Sequence, residues 1–297
     1  MSIRAPDTDF TFVTYRDLPD LDPDDRLAAD ALRRRGCRVS AAVWDDERVD
    51  WSRAGVCVIR STWDYHLHCD AFLAWTDRVA RQTRLFNSSG LIRWNASKTY
   101  LRELGERGAA VVPTIWVERG TETNIERASR ERGWSRIVIK PIVGLATYAV
   151  RYFSLPGEAA AAQLHMDELR GNTGAIVQPY IESVTTYGER ALVFFDGEYS
   201  HAARKTPFQP LLLAGQAGET PAEASAEERS AAEMIVKLLP ESSLYARLDL
   251  VADDAGRPLV LEVELIEPTL FLSLNPASAD RFADALLAVL ERSSTPD

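Results

Sequence analysis

The stretch "LYARLDLVADDAGRPLVLEVE", residues 244–264, reads as an apolar β-hairpin that carries charged residues. It predicts one strand from Leu244 to Val251, a turn at Asp253–Gly256, and a second strand that begins at Leu259. Apolar runs separated by Asp and Gly are typical of two antiparallel strands joined by a short turn. The sequence therefore predicts a β-hairpin at residues 244–264.

Charged side chains recur at every second position in both strands. Because strand side chains alternate between two faces, Arg247 and Asp249 share a face, and so do Glu262 and Glu264. Burying a carboxylate costs several kcal/mol unless a positive group meets it. Three carboxylates and one guanidinium on one patch of sheet suit a hard cation such as Mg²⁺, which binds through carboxylates and substrate phosphates. The alternative is an edge strand whose polar face is solvated.

Composition limits the class of partner. The chain has 297 residues, 46% of them hydrophobic, and a net charge of −10, so it can bury a core of two or three subdomains. An acidic chain is a poor match for nucleic acid or an anionic membrane, and no segment reaches the roughly 18 apolar residues of a membrane span. We expect reduced cysteines (Cys37, Cys57 and Cys69) and a cytoplasmic protein that binds small molecules.

Residues 1–95 show a βαβ rhythm. A strand at Phe10–Tyr15 precedes the helical pattern "DPDDRLAADALRRRG", which Gly36 ends, and the strands "VSAAVW" and "VCVIR" follow. The alternation predicts an N-terminal, doubly wound, parallel-sheet domain.

The segment "RSTWDY", residues 60–65, follows the third of these strands directly. Ligands of such sheets collect beyond the carboxyl ends of the strands, which makes the segment a candidate substrate site. In the alternative, Ser61 or Thr62 caps the helix containing "AFLAWTDRVA" and Trp63 packs in the core. The candidate substrate residues are Arg60, Ser61, Thr62, Asp64 and Tyr65.

Residues 96–180 predict a small central α+β lid domain. "NASKTYLRELGERG" predicts a helix capped by Asn95 or Ser97, with Lys98 on its first turn. Further helices are expected at 121–132 and 157–170. Lys140 ends the strand "RIVIKP", and a buried lysine needs an anion nearby, although it could instead reach solvent.

Residues 181–297 predict a mainly antiparallel sheet with helices. Strands at Arg190–Phe195 and Glu198–Ala203 are joined at Asp196–Gly197, a strong hairpin signal. Residues 206–222 are rich in Pro, Gly, Gln and Thr and predict a long, mobile flap. Helices are expected at Pro221–Leu239 and Pro276–Arg292.

The motifs "RWNASKTYL", "VQPYI", "GERAL", "ARK", "YARLDLV" and "ELIEPTLFL", together with "RSTWDY", resemble the ATP-grasp superfamily. Over about residues 90–275 the chain is similar to its glutathione-synthetase-like carboxylate–amine ligases, and more closely to the small D-cycloserine synthetase-type ligases. The resemblance implies an α/β (α+β ATP-grasp) fold. Two departures stand out: only Gly144 occupies the usually glycine-rich phosphate loop, and Glu264 replaces a common Asn.

The resemblance also implies roles for individual residues. The lysines that would bind the ATP phosphates are Lys98 and Lys140, and the ribose acceptor would be Glu189. The adenine-binding hinge would comprise Gln178, Pro179, Tyr180 and Ile181. The arginines that contact phosphate or the reaction intermediate would be Arg190 and Arg247, and the ligands for Mg²⁺ would be Asp249, Glu262 and Glu264. Arg204 or Lys205 would balance the third acidic ligand, and the candidate catalytic residues are Arg190, Arg204 and Arg247.

The function implied is an ATP- and Mg²⁺-dependent ligase. It would activate the carboxylate of a small amino-acid-like substrate as an acyl phosphate and couple it to a nitrogen. The nitrogen could belong to the same molecule, as in formation of the antibiotic D-cycloserine, or to a second molecule. A kinase and a non-catalytic nucleotide sensor are the other interpretations. A dimer or tetramer is possible, and the sequence names neither substrate.

Overall fold

Three β-sheets follow one another along the chain. The computed structural model describes residues 9–145, 147–206 and 218–292. None of the described helices is long and apolar enough to cross a membrane. The described α-helices are Pro23–Arg34 (α1), Cys69–Ala80 (α2), Ser89–Asn95 (α3), Tyr100–Glu106 (α4), Ile125–Arg130 (α5), Ala159–Asn172 (α6), Ser183–Thr186 (α7), Ala226–Leu238 (α8) and Ser278–Arg292 (α9).

The first sheet is parallel and has the order β2-β1-β3-β4. Phe12 on one face of β1 packs in a core with Leu32 of α1, and Val13 on the other packs with Phe72 of α2. Helices therefore cover both faces, and the predicted doubly wound sheet is confirmed. Its strands are Asp9–Thr14 (β1), Arg38–Val43 (β2), Val56–Ser61 (β3) and Arg84–Phe86 (β4).

The second sheet is antiparallel and has the order β5-β8-β6-β7. Ile137 and Ile139 of β6 point towards the core that Met166 of α6 completes. The alternate residues Val138 and Lys140 therefore face the opposite side, where they line a cleft. Its strands are Ile115–Val117 (β5), Arg136–Pro141 (β6), Arg151–Ser154 (β7) and Ala175–Pro179 (β8).

The third sheet is antiparallel, with the order β11-β10-β9-β12-β13, and contains both predicted hairpins. Positive φ angles at Asp196 (51°) and Gly197 (80°) form the turn of the β9–β10 hairpin. Helices α8 and α9 cover its two faces. Its strands are Glu189–Phe195 (β9), Glu198–Lys205 (β10), Glu219–Ala222 (β11), Tyr245–Ala252 (β12) and Pro258–Glu264 (β13).

Three local expectations need correction or limitation. Pro221 lies in β11, so the helix predicted from it begins only at Ala226, where Ser225 provides the cap. Lys98 precedes α4 instead of lying on its first turn, and Thr99 occupies the cap position without a capping side chain. Most of the predicted flap, residues 207–217, lies outside the described residues. The domain limits at 95 and 180 stay a prediction.

Strand β13 lies at the edge of its sheet, and side chains from the N-terminal half cover its free backbone. The Asn95 amide donates to Val263 O (2.8 Å), and its oxygen accepts from Leu265 N (2.8 Å). The Tyr100 hydroxyl accepts from Val263 N at 3.1 Å. Asn87 likewise contacts Tyr245 O, Leu265 O and Leu244 N. These contacts fix the strand that carries Glu262 and Glu264.

We expect Asn95→Ala to lower the free energy of unfolding by about 2–4 kcal/mol, because it leaves a buried carbonyl and a buried N–H without partners. Denaturant unfolding measures the loss. Asn172→Ala, at an exposed position of α6, is the matched control and should change stability by no more than about 0.5 kcal/mol. Equal effects of the two variants would contradict a role for Asn95 in fixing β13.

Candidate active site

A cleft with a volume of about 1270 Å³ lies between the second and third sheets and extends to the N-terminal domain. Its walls combine apolar residues with a concentrated group of charges. Apolar lining comes from Val112, Val138, Val184, Val251 and Leu261. The charged lining includes Lys98, Lys140, Lys205, Arg247, Glu189, Glu262, Glu264 and Glu267.

The three predicted metal ligands lie together at the cleft wall: Glu262 and Glu264 line the cleft, and Asp249 is buried next to them. Oxygen atoms of Asp249, Glu262 and Glu264 all lie within 4.8 Å of one another. The register of the hairpin explains the convergence, because Asp249 pairs with Glu262 across the two strands and Arg247 pairs with Glu264. An all-oxygen, three-carboxylate set fits Mg²⁺ better than a soft metal ion.

Arg247 neutralises part of this acidic cluster. Its guanidinium donates two hydrogen bonds to the Asp249 carboxylate, both 2.9 Å long, and a third to Glu264. Although burial opposes it, the charges of Arg247 and Lys205 hold the pKa of Asp249 at about 2. Burial raises the pKa of Glu264 to about 7. A cation bound beside Glu264 would favour its charged form.

Lys205, on β10, supplies the extra positive charge anticipated for a three-carboxylate site. Its ammonium lies 2.7 Å from the Asp249 carboxylate and 2.9 Å from Glu189 Oε2. Asp249 and Glu189 raise the pKa of Lys205 against the effect of burial, so the lysine stays charged. Glu189, the predicted ribose acceptor, is thus held beside the cluster.

The two predicted phosphate-binding lysines also line the cleft. Lys98 Nζ contacts Glu262 Oε1 at 2.7 Å and donates to Gly144 O at 2.8 Å. Lys140 is only 8% exposed, so the alternative in which it reaches solvent is wrong. Burial lowers the pKa of Lys140, and nearby Glu262 opposes that effect. Both ammonium groups face the region where an anionic ligand would be neutralised.

The predicted hinge forms the apolar end of the cleft. Gln178, Pro179, Tyr180 and Ile181 all line it. The Gln178 amide donates to the Thr114 hydroxyl at 3.0 Å, and the rings of Tyr180 and Tyr152 lie 5.7 Å apart. A slot lined by apolar and aromatic side chains at the end of a strand suits a purine base.

Arg190 and Arg204 do not line the cleft, which contradicts their predicted catalytic placement. Each is the strand neighbour of a cleft residue, so alternation turns it to the opposite face. Arg190 lies over the Tyr187 ring (3.8 Å), with its Nε 4.0 Å from Glu228. Arg204 donates to Tyr187 O and Thr186 O. Both arginines hold helix α7 in place.

The predicted substrate segment is largely structural. Arg60 donates to Asp25 (2.8 Å) and to Pro268 O (2.7 Å), and the Ser61 hydroxyl also donates to Asp25. Asp64 accepts from the Trp44 indole at 2.9 Å.

The other two residues of that segment are equally enclosed. Tyr65 packs against Phe72, and the buried hydroxyl of Thr62 has no hydrogen-bond partner among the residues that the structure describes. The capping alternative is also wrong, because His68 occupies the cap position of α2. The residues of this loop that do line the cleft are Trp63 and His66.

Tyr148 and Glu267 are cleft residues that the sequence analysis did not assign. Tyr148 lies in the glycine-poor loop and contacts the His66 ring, with centroids 4.9 Å apart. Glu267 follows β13 in an apolar context. Its position between Ile266 and Pro268 could have identified Glu267 as a candidate site residue, because a buried acid requires a compensating group.

Comparison with known proteins agrees with this geometry. Residues 10–87 match the family model of the D-cycloserine synthetase DcsG N-terminal domain. The cycloserine biosynthesis protein DcsG of Streptomyces lavendulae is 36% identical over 271 residues, covering 86% of this chain and 90% of the relative. The chain belongs to the DcsG family of ATP-grasp ligases.

The fold comparison extends over nearly the whole DcsG-family chain. The crystal structure of D-cycloserine synthetase DcsG matches with a TM-score of 0.86 and 33% identity over 95% of this chain and 99% of that one. D-Alanine–D-alanine ligase from Bacillus anthracis, solved with ATP, has the same fold at 14% identity, a TM-score of 0.68 and coverages of 96% and 98%. This DcsG-family protein is an ATP-dependent carboxylate–amine ligase, and the predicted ATP-grasp fold is confirmed.

Substitution of neighbouring residues on β10 tests the assignment of faces in this DcsG-family ligase. We expect Lys205→Ala to reduce ADP release by about 100-fold or more, because it removes a preorganised charge from the site. Arg204→Ala should keep the wild-type rate and lose only stability. Steady-state ADP release and denaturant unfolding measure the two effects. A loss of rate with Arg204→Ala alone would contradict the assignment.

Proposed function

We propose that this ligase closes a ring within one small amino acid, using ATP and Mg²⁺ in the cytoplasm. The observation that carries the proposal is the convergence of Asp249, Glu262 and Glu264 with Arg247 and Lys205 at the charged end of a nucleotide-sized cleft. The 36% identity to DcsG supports ring closure over coupling of two molecules.

The acidic triad would hold the metal. Its donors are all carboxylate oxygens, and their mutual distances of at most 4.8 Å allow them to share ligation. When bound, Mg²⁺ would neutralise negative charge on the phosphates of the nucleotide. Arg247 keeps Asp249 and Glu264 oriented through its fork of hydrogen bonds.

The first chemical step joins two anions. An oxygen of the substrate carboxylate attacks the γ-phosphorus of ATP, the bond from that phosphorus to the ADP oxygen breaks, and an acyl phosphate forms. Lys98 and Lys140 reduce the repulsion between carboxylate and phosphate, because both ammonium groups face the cleft beside Glu262. The hinge holds the adenine, which fixes the γ-phosphate at this end.

The second step forms the amide. A nitrogen attacks the acyl carbon, the bond from that carbon to the phosphate oxygen breaks, inorganic phosphate leaves, and the nitrogen loses a proton. In D-cycloserine the ring amide joins the carboxyl carbon to a nitrogen carried on the side-chain oxygen. Opening that amide gives O-amino-D-serine, which we propose as the simplest substrate skeleton.

Product stoichiometry tests this function. With O-amino-D-serine, ATP and Mg²⁺, we expect one ADP, one phosphate and one D-cycloserine per turnover, measured by coupled ADP assay and mass spectrometry. D-Serine, which lacks the oxygen-bound amine, should give no cyclic product. A stable phosphorylated product would indicate a kinase, and nucleotide binding without turnover with any amino acid tested would indicate a sensor. A product joining two molecules would indicate an intermolecular ligase.

Two variants connect turnover to the assigned residues. We expect Lys140→Ala and Glu262→Gln each to reduce ADP release by about 100- to 1000-fold, because each removes one electrostatic contact to the reacting phosphate or its metal. Glu233→Gln, an exposed change on α8, is the control and should retain the wild-type rate. Wild-type turnover in Glu262→Gln would exclude the proposed metal site.

A further inference from the structure

Glu267 is a buried carboxylate that the proposed mechanism does not use. It is 4% exposed, and it lines both the main cleft and a small crevice beneath it. Among the described residues, its carboxylate has no hydrogen-bond or ion-pair partner. A buried acid without a partner is costly, so a ligand group is the natural complement.

The other three acids of the cluster each have a cation. Asp249 contacts Lys205 and Arg247, Glu262 contacts Lys98, and Glu264 contacts Arg247. Burial and the adjacent charge of Glu264 raise the pKa of Glu267 well above its ordinary value, while Lys98 and Arg247 oppose the rise. Lys98 and Arg247 thus influence Glu267 from a distance, but among the described residues no cation forms an ion pair with it as cations do with its neighbours.

Trp63 adds a second feature to the same place. Its indole N–H donates to the backbone carbonyl of Glu267 at 3.3 Å, and its side chain lines the cleft. An aromatic ring beside a carboxylate favours an organic ammonium, which gains from both the anion and the ring face. Mg²⁺ instead needs near-octahedral oxygen ligands, which an indole does not provide.

We propose that Glu267 binds the α-ammonium group of the amino-acid substrate. This inference rests on the proposed function, which places the substrate carboxylate beside the acidic triad. In an α-amino acid the nitrogen and the carboxyl carbon are only about 2.5 Å apart, so the group that binds the ammonium must adjoin the phosphate-transfer site. Glu267 meets that requirement, because it lines the same cleft and the same crevice as Glu262 and Glu264.

Selectivity between two nitrogens follows from this contact. O-Amino-D-serine carries an α-amine and an oxygen-bound amine, and D-cycloserine keeps its α-amine free. Attack of the α-amine on its own acyl carbon would form a three-membered ring, so the competing reaction is its attack on the acyl phosphate of a second substrate molecule. A carboxylate that holds the α-amine as an ammonium leaves it without a free lone pair and suppresses that reaction, which makes Glu267 a specificity-determining residue.

Binding measurements separate this inference from turnover. Calorimetry is done on the full chain, with Mg²⁺ and a non-hydrolysable ATP analogue, using D-cycloserine and isoxazolidin-3-one, which lacks the amine. We expect wild type to bind D-cycloserine about 10- to 100-fold more tightly than isoxazolidin-3-one, the usual effect of one charge-assisted hydrogen bond. Glu267→Gln should bind the two equally, with unchanged affinity for the nucleotide. Glu233→Gln is again the control.

Each other outcome overturns the inference. Undiminished discrimination in Glu267→Gln, or failure of wild type to distinguish the two compounds, excludes the ammonium contact. Loss of Mg²⁺-dependent nucleotide binding in Glu267→Gln would make Glu267 a metal ligand instead. Failure of the proposed function shows separately, as absence of ADP release from wild type with O-amino-D-serine.

Discussion

The register of one β-hairpin determines the chemistry of this molecule. Asp249 pairs with Glu262, and Arg247 pairs with Glu264, so three carboxylates and one guanidinium share one face of the third sheet. A shift by one residue would turn all of them into the core and bring leucines and valines into the cleft. Lys205 and Lys98 approach this charged face from β10 and from the turn before α4.

Much of this arrangement was predictable from the sequence. The paired hairpins, the doubly wound N-terminal sheet and the buried Lys140 follow from periodicity and turn chemistry. Arg190 and Arg204 were misplaced because each adjoins a residue, Glu189 or Lys205, that faces the cleft, and neighbours on a strand cannot both do so.

The errors in "RSTWDY" have a different origin. The end of a predicted strand locates the loop that follows it, but it does not predict which side chains of that loop face a ligand. Arg60 contacts Asp25 of α1, a partner 35 residues earlier that no local pattern reveals. For Glu267, the apolar neighbours in the sequence predict burial. Only the folded structure shows that this residue lines the cleft.

The coverage of β13 by Asn87, Asn95 and Tyr100 has a consequence for how such ligases diversify. The N-terminal half supplies hydrogen bonds to the very strand that carries two metal ligands, so it cannot be exchanged as an independent module. A chimera that imports a foreign substrate-recognition half would have to retain these three side chains. Otherwise the acidic hairpin would keep the backbone hydrogen bonds of Val260 with Ala110 and Val112 but would lose those at the end that carries Glu264.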